Sequence, residues 1–367
     1  MKIISIEPIA VSLPLVRPMQ MSQGAMHASE NVLVRMDIGA GALGWGEAAA
    51  APTMTGETVE SMLAAIRLMA ARLAGRAFED LQALSSAMAQ TLHANKAAKA
   101  AIEMAAHDAV GKASGKPVCE LLGARRRGRV PLLWTFADGG LENEVAEARR
   151  KRAEGYVAFK IKVGAAVPAE DARRVRGICA AIGRGCLVSA DANQAWTVAQ
   201  ALEFLRGIDP AALAFLEQPV AADDVEGMAR IAAQSEVPIG CDEGIHGISD
   251  IERHREHSAA AGGSLKIIKM GGLRQVLSAA SACESLGMKV NLACKIAESG
   301  IAAAALLHLS AVVPSIDWGV SLTSQYLAQD LLRSPLAVAQ GHARIPEGPG
   351  LGVEVDEERV RRYQLHR

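Results

Sequence analysis

Five charged residues recur at nearly constant spacing through the second half of the chain. Lys162, Asp191, Glu217, Asp242 and Lys266 follow one another at intervals of 29, 26, 25 and 24 residues. Such an interval is about the length of one strand and one helix in an alternating α/β fold. If each residue ends a strand of a parallel barrel, all five side chains meet at the mouth where such barrels build active sites. The spacing therefore predicts one pocket that contains both lysines and carboxylates.

The three carboxylates, Asp191, Glu217 and Asp242, come from neighbouring predicted strands, and no His or Cys stands at a matching position. Carboxylate oxygens suit Mg²⁺, which keeps open positions for water and for substrate oxygens. We therefore expect a Mg²⁺ site, with Mn²⁺ as an alternative ion and no organic cofactor. The competing interpretation is that each acid caps the helix after its strand, but three acids in register between two lysine-bearing strands favour the metal.

The lysines are suited to proton transfer. Lys160 and Lys162 lie two residues apart on one predicted strand, so their side chains point to the same face. Burial and a neighbouring ammonium both disfavour a charged lysine, so Lys160 should make the amine of Lys162 available as a base near pH 7. Lys266 comes from the sixth strand, opposite the second, which would place one lysine over each face of a bound α-carbon. Solvated lysines at strand ends are the alternative.

Eight short apolar strands alternate with amphipathic helical segments between residues 130 and 321. This alternation predicts an α/β fold with a parallel TIM-type barrel. Residues 1–50 instead show the alternation and turn residues of an antiparallel sheet, and residues 55–115 contain three Ala-rich helical segments. We expect the following organisation: an N-terminal α+β capping domain over residues 1–127, a barrel domain over 128–325, and a C-terminal segment over 326–367 that returns to the capping domain.

Composition narrows the class of protein. The chain has 367 residues and a formal net charge of −1, so no field of one sign would attract nucleic acid or an anionic membrane. Its six cysteines form no CxxC pair, which indicates reduced thiols and a cytoplasmic location. No apolar run is long enough to span a bilayer. The G-x-G-x-x-G at residues 39–44 precedes a strand rather than a helix, so a dinucleotide site is not expected.

The polar residues stand in motifs that resemble those of the enolase superfamily, and within it the muconate-lactonizing-enzyme subgroup. These motifs cover the chain: W-G-E at 45–47, K-I-K at 160–162, D-A-N-Q-A-W at 191–196, E-Q-P at 217–219, C-D-E at 241–243, K-I-I-K-M-G-G at 266–272 and G-P-G-L-G-V-E-V-D at 348–356. The resemblance implies a (β/α)7β barrel with a cap from both termini. It also implies magnesium ligation by Asp191, Glu217 and Asp242, acid/base roles for Lys162 and Lys266, and an ene-diolate intermediate.

Four further residues are candidates for contacts with the substrate or with the residues that would hold the metal. Asn193 shares the face of Asp191 and is expected to orient a ligand. Glu298 either faces the site or caps the next helix. At the eighth strand the cycloisomerases resemble W-G-x-E, whereas this chain has Ser321 in place of the glutamate. The dipeptide epimerases resemble D-x-D there, and this chain keeps only the first acid, Asp317.

These features predict a magnesium-dependent isomerase that removes the α-proton of a small carboxylate substrate, as a racemase, an epimerase or a cycloisomerase. A lyase, either a dehydratase or similar to o-succinylbenzoate synthase, would use the same catalytic set. A non-catalytic binding protein would not need both lysines and all three acids. We also expect a homo-oligomer.

Substrate selection is expected in two loops, Arg17–Ser29 and Ala50–Gly56, which would fold over the barrel mouth. Methionines in and beside these loops indicate a flexible, apolar lid, although they could instead pack inward. They are Met19, Met21, Met26 and Met54.

Overall fold

An antiparallel sheet and four helices open the chain in the computed structural model, which describes residues 1–21, 24–39, 41–138 and 140–366. The sheet order is β1-β2-β3, as predicted for residues 1–50. The elements are β1 (Ser5–Met21), β2 (Gly24–Asp37), β3 (Leu43–Ala49), α1 (Val59–Leu73), α2 (Leu81–Thr91), α3 (Lys96–Ser114) and α4 (Val118–Leu122).

Helix α3 packs closely on strand β3 because small residues line both surfaces. Ala101 and Ala105 are fully buried on the helix. Gly44 and Gly46 face them from the strand, and a Cβ added at Gly46 would lie 2.0 Å from the carbonyl oxygen of Ala101. The alanine-rich composition of this segment therefore has a packing role: it allows the two backbones to approach each other.

Eight parallel strands follow and form the barrel in the order β12-β11-β10-β9-β8-β7-β6-β5. A bridge between Leu132 and Val320 joins its first and last strands. The strands are β5 (Leu133–Phe136), β6 (Ala158–Lys162), β7 (Leu187–Asp191), β8 (Phe215–Glu217), β9 (Ile239–Cys241), β10 (Gly262–Leu265), β11 (Lys289–Ala293) and β12 (Val320–Ser321). The predicted (β/α)7β barrel with its α+β cap is thus confirmed.

Helices connect successive strands of the barrel. They are α5 (Leu141–Ala153), α6 (Pro168–Ile182), α7 (Val198–Arg206), α8 (Val225–Ala232), α9 (Ile248–Glu256), α10 (Ile267–Met270), α11 (Leu273–Ser285) and α12 (Gly300–Val312), with 3₁₀ turns at Pro210–Ala212 and Ser324–Tyr326. In the part of the chain that the structure describes, no helix combines the length and apolar character needed to cross a membrane.

The C-terminal segment contacts both the barrel and the cap. Strand β13 (Val338–Ala339) pairs with β14 (His342–Arg344), which in turn pairs with β4 (Arg129–Pro131), and helix α13 (Glu357–Tyr363) follows. The backbone N–H of Leu351 donates to Asp108 Oδ1 of α3 at 2.8 Å, and that of Leu365 donates to Ala10 of β1 at 2.8 Å. Domain boundaries at residues 127 and 325 stay predictions.

Two segments differ from their predicted structure. The sixth barrel strand ends at Leu265, and the K-I-I-K-M sequence continues as the short helix α10 rather than as a strand. The segment 17–29, predicted as a loop, lies in strands β1 and β2 apart from residues 22 and 23, which lie outside the described residues. The capping sheet therefore extends as a hairpin toward the barrel mouth.

We predict that Gly46→Ala lowers the free energy of unfolding by about 3 kcal/mol, because the new methyl group would meet backbone atoms of α3 that cannot move independently. Thermal and urea unfolding would measure the change. Gly123→Ala is the matched control, since a Cβ there meets nothing within 4 Å and its φ of 161° is extended backbone. Equal effects of the two substitutions would contradict this account of the packing.

Candidate active site

The three predicted carboxylates lie together at the mouth of the barrel. Asp191 ends β7 and is the direct register partner of Glu217, which ends β8, while Asp242 follows β9 by one residue. Their relative exposures are 1%, 0% and 0%, so all three are removed from solvent. Because the acids lie side by side and out of solvent, burial and the negative charge of Asp191 raise the pKa of Glu217.

Strand β6 supplies two of the ammonium groups that neutralise these acids. Lys160 Nζ contacts Glu217 Oε2 and lies 3.8 Å from Asp191 Oδ2. Burial alone would lower the pKa of Lys160, but the charges of Glu217 and Asp191 raise it, so this side chain stays cationic. Lys162 Nζ donates to Asp191 Oδ2 at 2.6 Å and to Asn193 Oδ1 at 2.6 Å. The expected effect of Lys160 on the base strength of Lys162 stays a prediction.

Asp242 is held by two lysines from the other side of the barrel. Lys266, which immediately follows β10, donates to Asp242 Oδ2, and Lys269 donates to Asp242 Oδ1 at 2.6 Å and to the Ser264 carbonyl at 2.9 Å. Burial alone would raise the pKa of Asp242, but the two ammonium groups hold it below its usual range. Asp242 is therefore anionic as it stands.

Sequence reasoning missed Lys269. The apolar K-I-I-K segment predicts a strand, in which residues 266 and 269 would point to opposite faces. In the structure Lys266 is the N-cap of α10 and Lys269 lies in that short helix three residues later, so both lysines reach one carboxylate. The signal was the helical i, i+3 spacing itself.

Lys162 and Lys266 reach the mouth from opposite sides. Lys162 ends the second of eight strands and Lys266 immediately follows the sixth, so four strand intervals separate them in either direction around the ring. Both line a cavity of about 380 Å³ beneath the cap. Its lining includes Met26, Ala28, Ser29, Glu30 and residues 50–54 from the cap, and Thr135, Lys160, Lys162, Asp191, Asn193, Gln194, Glu243, Lys266, residues 293–296, Ser321 and Thr323 from the barrel.

The predicted lid residues divide between cavity and core. Met26 and Met54 line the cavity, and Lys266 Nζ lies 3.8 Å from the sulfur of Met54. Met19 is 4% exposed and packs in the core. The side chain of Met21 lies outside the described residues.

Asn193 connects the carboxylates with a fourth acid that sequence reasoning missed. Its backbone N–H donates to Asp191 Oδ1 at 3.0 Å, and its Nδ2 donates to Glu243 Oε1 at 2.9 Å. Burial and the charge of Asp242 raise the pKa of Glu243 to about 7. Strict strand alternation would turn Glu243 away from the face of Asp242, but β9 ends at Cys241, and Glu243 lines the cavity.

The remaining three predicted residues have different positions. Ser321 ends β12 and lines the cavity. Glu298 is buried and accepts the backbone N–H of Lys295 at 2.9 Å, while Ser299, not Glu298, caps α12. Asp317 is exposed and accepts from the N–H of Val290 at 3.3 Å, near the amino end of β11, so the structure does not bring it to the site. Its predicted role at the pocket is corrected accordingly.

The W-G-E motif has a positioning role. Glu47 of β3 is fully buried and accepts hydrogen bonds from the backbone N–H of Ser299 at 2.8 Å, from the Ser299 hydroxyl at 2.6 Å and from Asn31 Nδ2 at 2.6 Å. A carboxylate at the N-terminus of α12 also interacts favourably with the helix dipole. This contact fixes the cap over the seventh strand.

Models of two protein families match nearly the whole chain. The N-terminal domain of mandelate racemase / muconate lactonizing enzyme matches residues 4–123, and the enolase C-terminal domain-like family matches residues 143–359. A chloromuconate cycloisomerase of Cupriavidus pinatubonensis is 35% identical over 359 residues, 96% of each chain. An N-succinyl-L-Arg/Lys racemase of Bacillus cereus is 30% identical over 365 residues, 98% of this chain and 96% of that protein.

The solved structures agree. The crystal structure of muconate lactonizing enzyme from Pseudomonas fluorescens, complexed with muconolactone, superposes with a TM-score of 0.95 at 33% identity and covers 99% of both chains. Fold, site and relatives together define an isomerase of the enolase superfamily. Within it, the chain belongs to the mandelate racemase/muconate lactonizing enzyme family, in the muconate-lactonizing-enzyme subgroup.

Enzymes of this kind generally use a divalent metal such as Mg²⁺, and the donor set fits one. Three carboxylates at adjacent strand ends are hard oxygen donors, and the repulsion between their negative charges favours a bound cation. As the side chains stand, ammonium groups contact these oxygens, and no group of three or more His, Cys, Asp or Glu in the described residues is arranged to hold an ion. A bound cation must therefore replace some ammonium contacts.

We predict that Lys269→Met lowers the free energy of unfolding by about 3 kcal/mol, because it leaves one oxygen of the buried Asp242 carboxylate without its ionic partner. Calorimetric unfolding would measure this. Lys289→Met is the control, since Lys289 is exposed and should change stability by less than about 0.5 kcal/mol. A neutral effect at position 269 would show that the buried contact contributes nothing to stability.

Proposed function

We propose that this isomerase transfers a proton from one face of a substrate α-carbon to the other, as a racemase or epimerase of a small carboxylate. The observation that carries the proposal is the pair of lysines, Lys162 and Lys266, on opposite sides of one buried cavity. A 1,1-proton transfer needs an acid/base group on each face of the reacting carbon.

The surrounding residues support this use of the two lysines. Asp191 and Asn193 both accept from Lys162 Nζ, and Asp242 accepts from Lys266 Nζ, so each amine is held in place by fixed acceptors. Asp191, Glu217 and Asp242 would hold a divalent ion, which when bound would offset the negative charge that develops on the substrate carboxylate.

The cavity suits a small substrate. Its volume of about 380 Å³ is at the lower end of the range for ligand pockets. Strand β2 and residues 50–54 form its outer wall, which would limit the access of water to the reacting carbon. We also propose that the substrate is a small carboxylate, that the protein forms a homo-oligomer and that it is located in the cytoplasm.

The test uses α-proton exchange in deuterated water with added Mg²⁺, after a screen of N-acylated amino acids, dipeptides, betaines and muconates. Lys162→Ala and Lys266→Ala should each lower racemisation by at least about 100-fold, because a proton can no longer both leave one face and return on the other. Each variant should still exchange the α-proton of one enantiomer, and the two variants should act on opposite enantiomers. Proton NMR with chiral chromatography measures both quantities.

Two controls accompany this experiment. Lys289→Ala removes an exposed lysine at the far end of β11 and should leave exchange unchanged. Removal of Mg²⁺, or the change Asp242→Asn, should stop exchange of both enantiomers. Exchange of the same enantiomer by both lysine variants would refute the opposed-lysine model. An alkene product that needs only one lysine would support a lyase instead.

Cycloisomerisation is the second candidate, because the relative at 35% identity is named for its action on chloromuconate. Ser321 stands where the resemblance expects a glutamate, and its hydroxyl cannot replace a carboxylate in charge. We therefore predict slow or absent lactonisation of cis,cis-muconate, followed by its ultraviolet absorbance. A kcat/KM above about 10⁴ M⁻¹s⁻¹ would favour the cycloisomerase over the racemase.

A further inference from the structure

A cleft lined by arginines lies at the end of the barrel opposite the candidate active site. Strand β4 leads directly into β5, so its pairing with β14 belongs to the amino end of the barrel, whereas Asp191 and Glu217 end their strands at the carboxyl side. The cleft has a volume of about 660 Å³ and contains Arg125, Arg129 and Arg344 in its lining. We refer to these three residues as the arginine cluster.

Strand pairing places two of these arginines side by side. Arg129 of β4 and Arg344 of β14 are direct partners in the antiparallel register, and both are exposed. The next pair in the register, Val130 and Ala343, is buried, so strand alternation turns both arginines to the same outer face. Directly opposed side chains lie roughly 5 Å apart at Cβ, and like charges in such a pair repel each other.

These two guanidinium groups have no counter-ion among the described residues. In that part of the chain, no carboxylate oxygen lies within 4.0 Å of a side-chain nitrogen of Arg129 or Arg344. Glu354 also lines the cleft, but it pairs with Arg333 at 3.2 Å. Two arginines that repel each other without a counter-ion are stabilised by a bound anion, which accepts hydrogen bonds from both.

Arg125 brings a third positive charge to the cleft. Its Nε donates to the carbonyl of Arg127 at 3.3 Å, and its Nη2 lies 3.6 Å from Glu347 Oε1. Gly128 leaves room for this guanidinium, since a Cβ at that position would lie 3.1 Å from Nη2. The Glu347 side chain is 81% exposed, so solvent weakens its attraction. Three arginines against this one acid leave the cluster with a net positive charge.

The backbone that carries the arginine cluster is fixed to the barrel. The Arg127 guanidinium donates to the carbonyls of Ser310 and Val313, at the carboxyl end of α12, at 2.6 and 2.8 Å. The backbone N–H of Ile345 donates to the carbonyl of Gly128 at 3.0 Å. These contacts hold the strands in register before any ligand binds, which lowers the entropic cost of gathering the guanidinium groups around one anion.

We propose that the arginine cluster binds a diphosphate group, either as inorganic diphosphate or as part of a nucleotide. Planar guanidinium groups form paired hydrogen bonds with phosphate oxygens, and two linked phosphates offer acceptors to more than one arginine at a time. Leu336 and Val353 in the cleft wall leave an apolar surface for a group attached to the phosphates. The ligand bridges β4, at the start of the barrel, and β14 of the C-terminal segment. This site does not depend on the reaction proposed at the barrel mouth.

Calorimetric titration tests the site, in buffer freed of divalent cations so that no metal joins the ligand to the carboxylates of the barrel mouth. Wild-type protein should bind diphosphate saturably with a Kd of about 100 µM or below, and orthophosphate at least about 10-fold more weakly, because it makes fewer charge-assisted hydrogen bonds. ADP distinguishes the two sources: tighter binding than diphosphate identifies a nucleotide, and weaker binding identifies free diphosphate. Bound diphosphate should also raise the thermal midpoint by roughly 2 °C at about ten times its Kd.

Substitutions in and beside the cleft locate the ligand. Arg129→Gln and Arg344→Gln should each weaken diphosphate binding by about 10-fold or more, and Arg344→Lys should retain part of the affinity because it keeps the charge but not the planar fork. Arg126→Gln is the matched control. It removes one exposed positive charge from the same segment but outside the cleft lining, and it should change the affinity by less than about 2-fold. Without an anion, Arg344→Gln should not lower the thermal midpoint, because it relieves the repulsion from Arg129.

Three results would overturn the inference. The first is no saturable binding of diphosphate or ADP by the folded wild-type protein. The second is an equal loss of affinity in Arg126→Gln and Arg344→Gln, which would indicate attraction to net charge rather than a site. The third is unchanged affinity in both Arg129→Gln and Arg344→Gln, which would place the ligand elsewhere. None of these measurements involves α-proton exchange, so their outcome is separate from that of the proposed reaction.

Discussion

Buried like charges at the ends of adjacent strands are the constraint on which the rest of this site depends. Asp191 and Glu217 are direct neighbours in the barrel register, and Asp242 comes from the next strand. Each negative charge raises the free energy of the others, and none can be solvated by bulk water. Such an arrangement persists only if cations balance it, and the barrel supplies them from strands on both sides.

The balance is made by four lysines in two pairs. Lys160 and Lys162 offset Glu217 and Asp191, while Lys266 and Lys269 share Asp242. The pairing also holds the amines of Lys162 and Lys266, because each is fixed by the carboxylate that it neutralises. A divalent cation bound there would compete with the same ammonium groups for the same oxygens, so cation binding would be linked to the freedom of the lysines.

The cap is attached to the barrel by buried glutamates at the N-termini of two barrel helices. Glu47 accepts from the first N–H groups of α12, and Glu103 of α3 accepts from Leu273 N–H of α11 at 2.7 Å. Both acids are fully buried, so each contact combines a hydrogen bond with a favourable helix dipole in a medium of low polarity. Helices α11 and α12 follow the sixth and seventh barrel strands, which lead to Lys266 and Lys295. The two contacts therefore align the cap with this part of the barrel mouth.

The sequence was sufficient to place the five residues whose spacing repeats the strand–helix unit. That spacing can be recognised even when the predicted end of a strand is wrong by a few residues. It was insufficient where a prediction depends on the exact residue at which a strand ends. The eighth strand contains only Val320 and Ser321, so Asp317 falls at its amino side, away from the mouth. Glu243 and Lys269 were missed since each follows the point where strand geometry stops and alternation no longer applies.

The same limit explains why the reaction class is easier to predict than the substrate. The groups proposed to move protons and to neutralise charge come from strands two to six, whose ends carry ionisable residues at regular intervals. The remaining wall comes from strands seven and eight and from the cap, through contacts between residues more than 250 positions apart, such as Ser29 with Lys295. No periodicity links such residues in the sequence. Only folding brings them together.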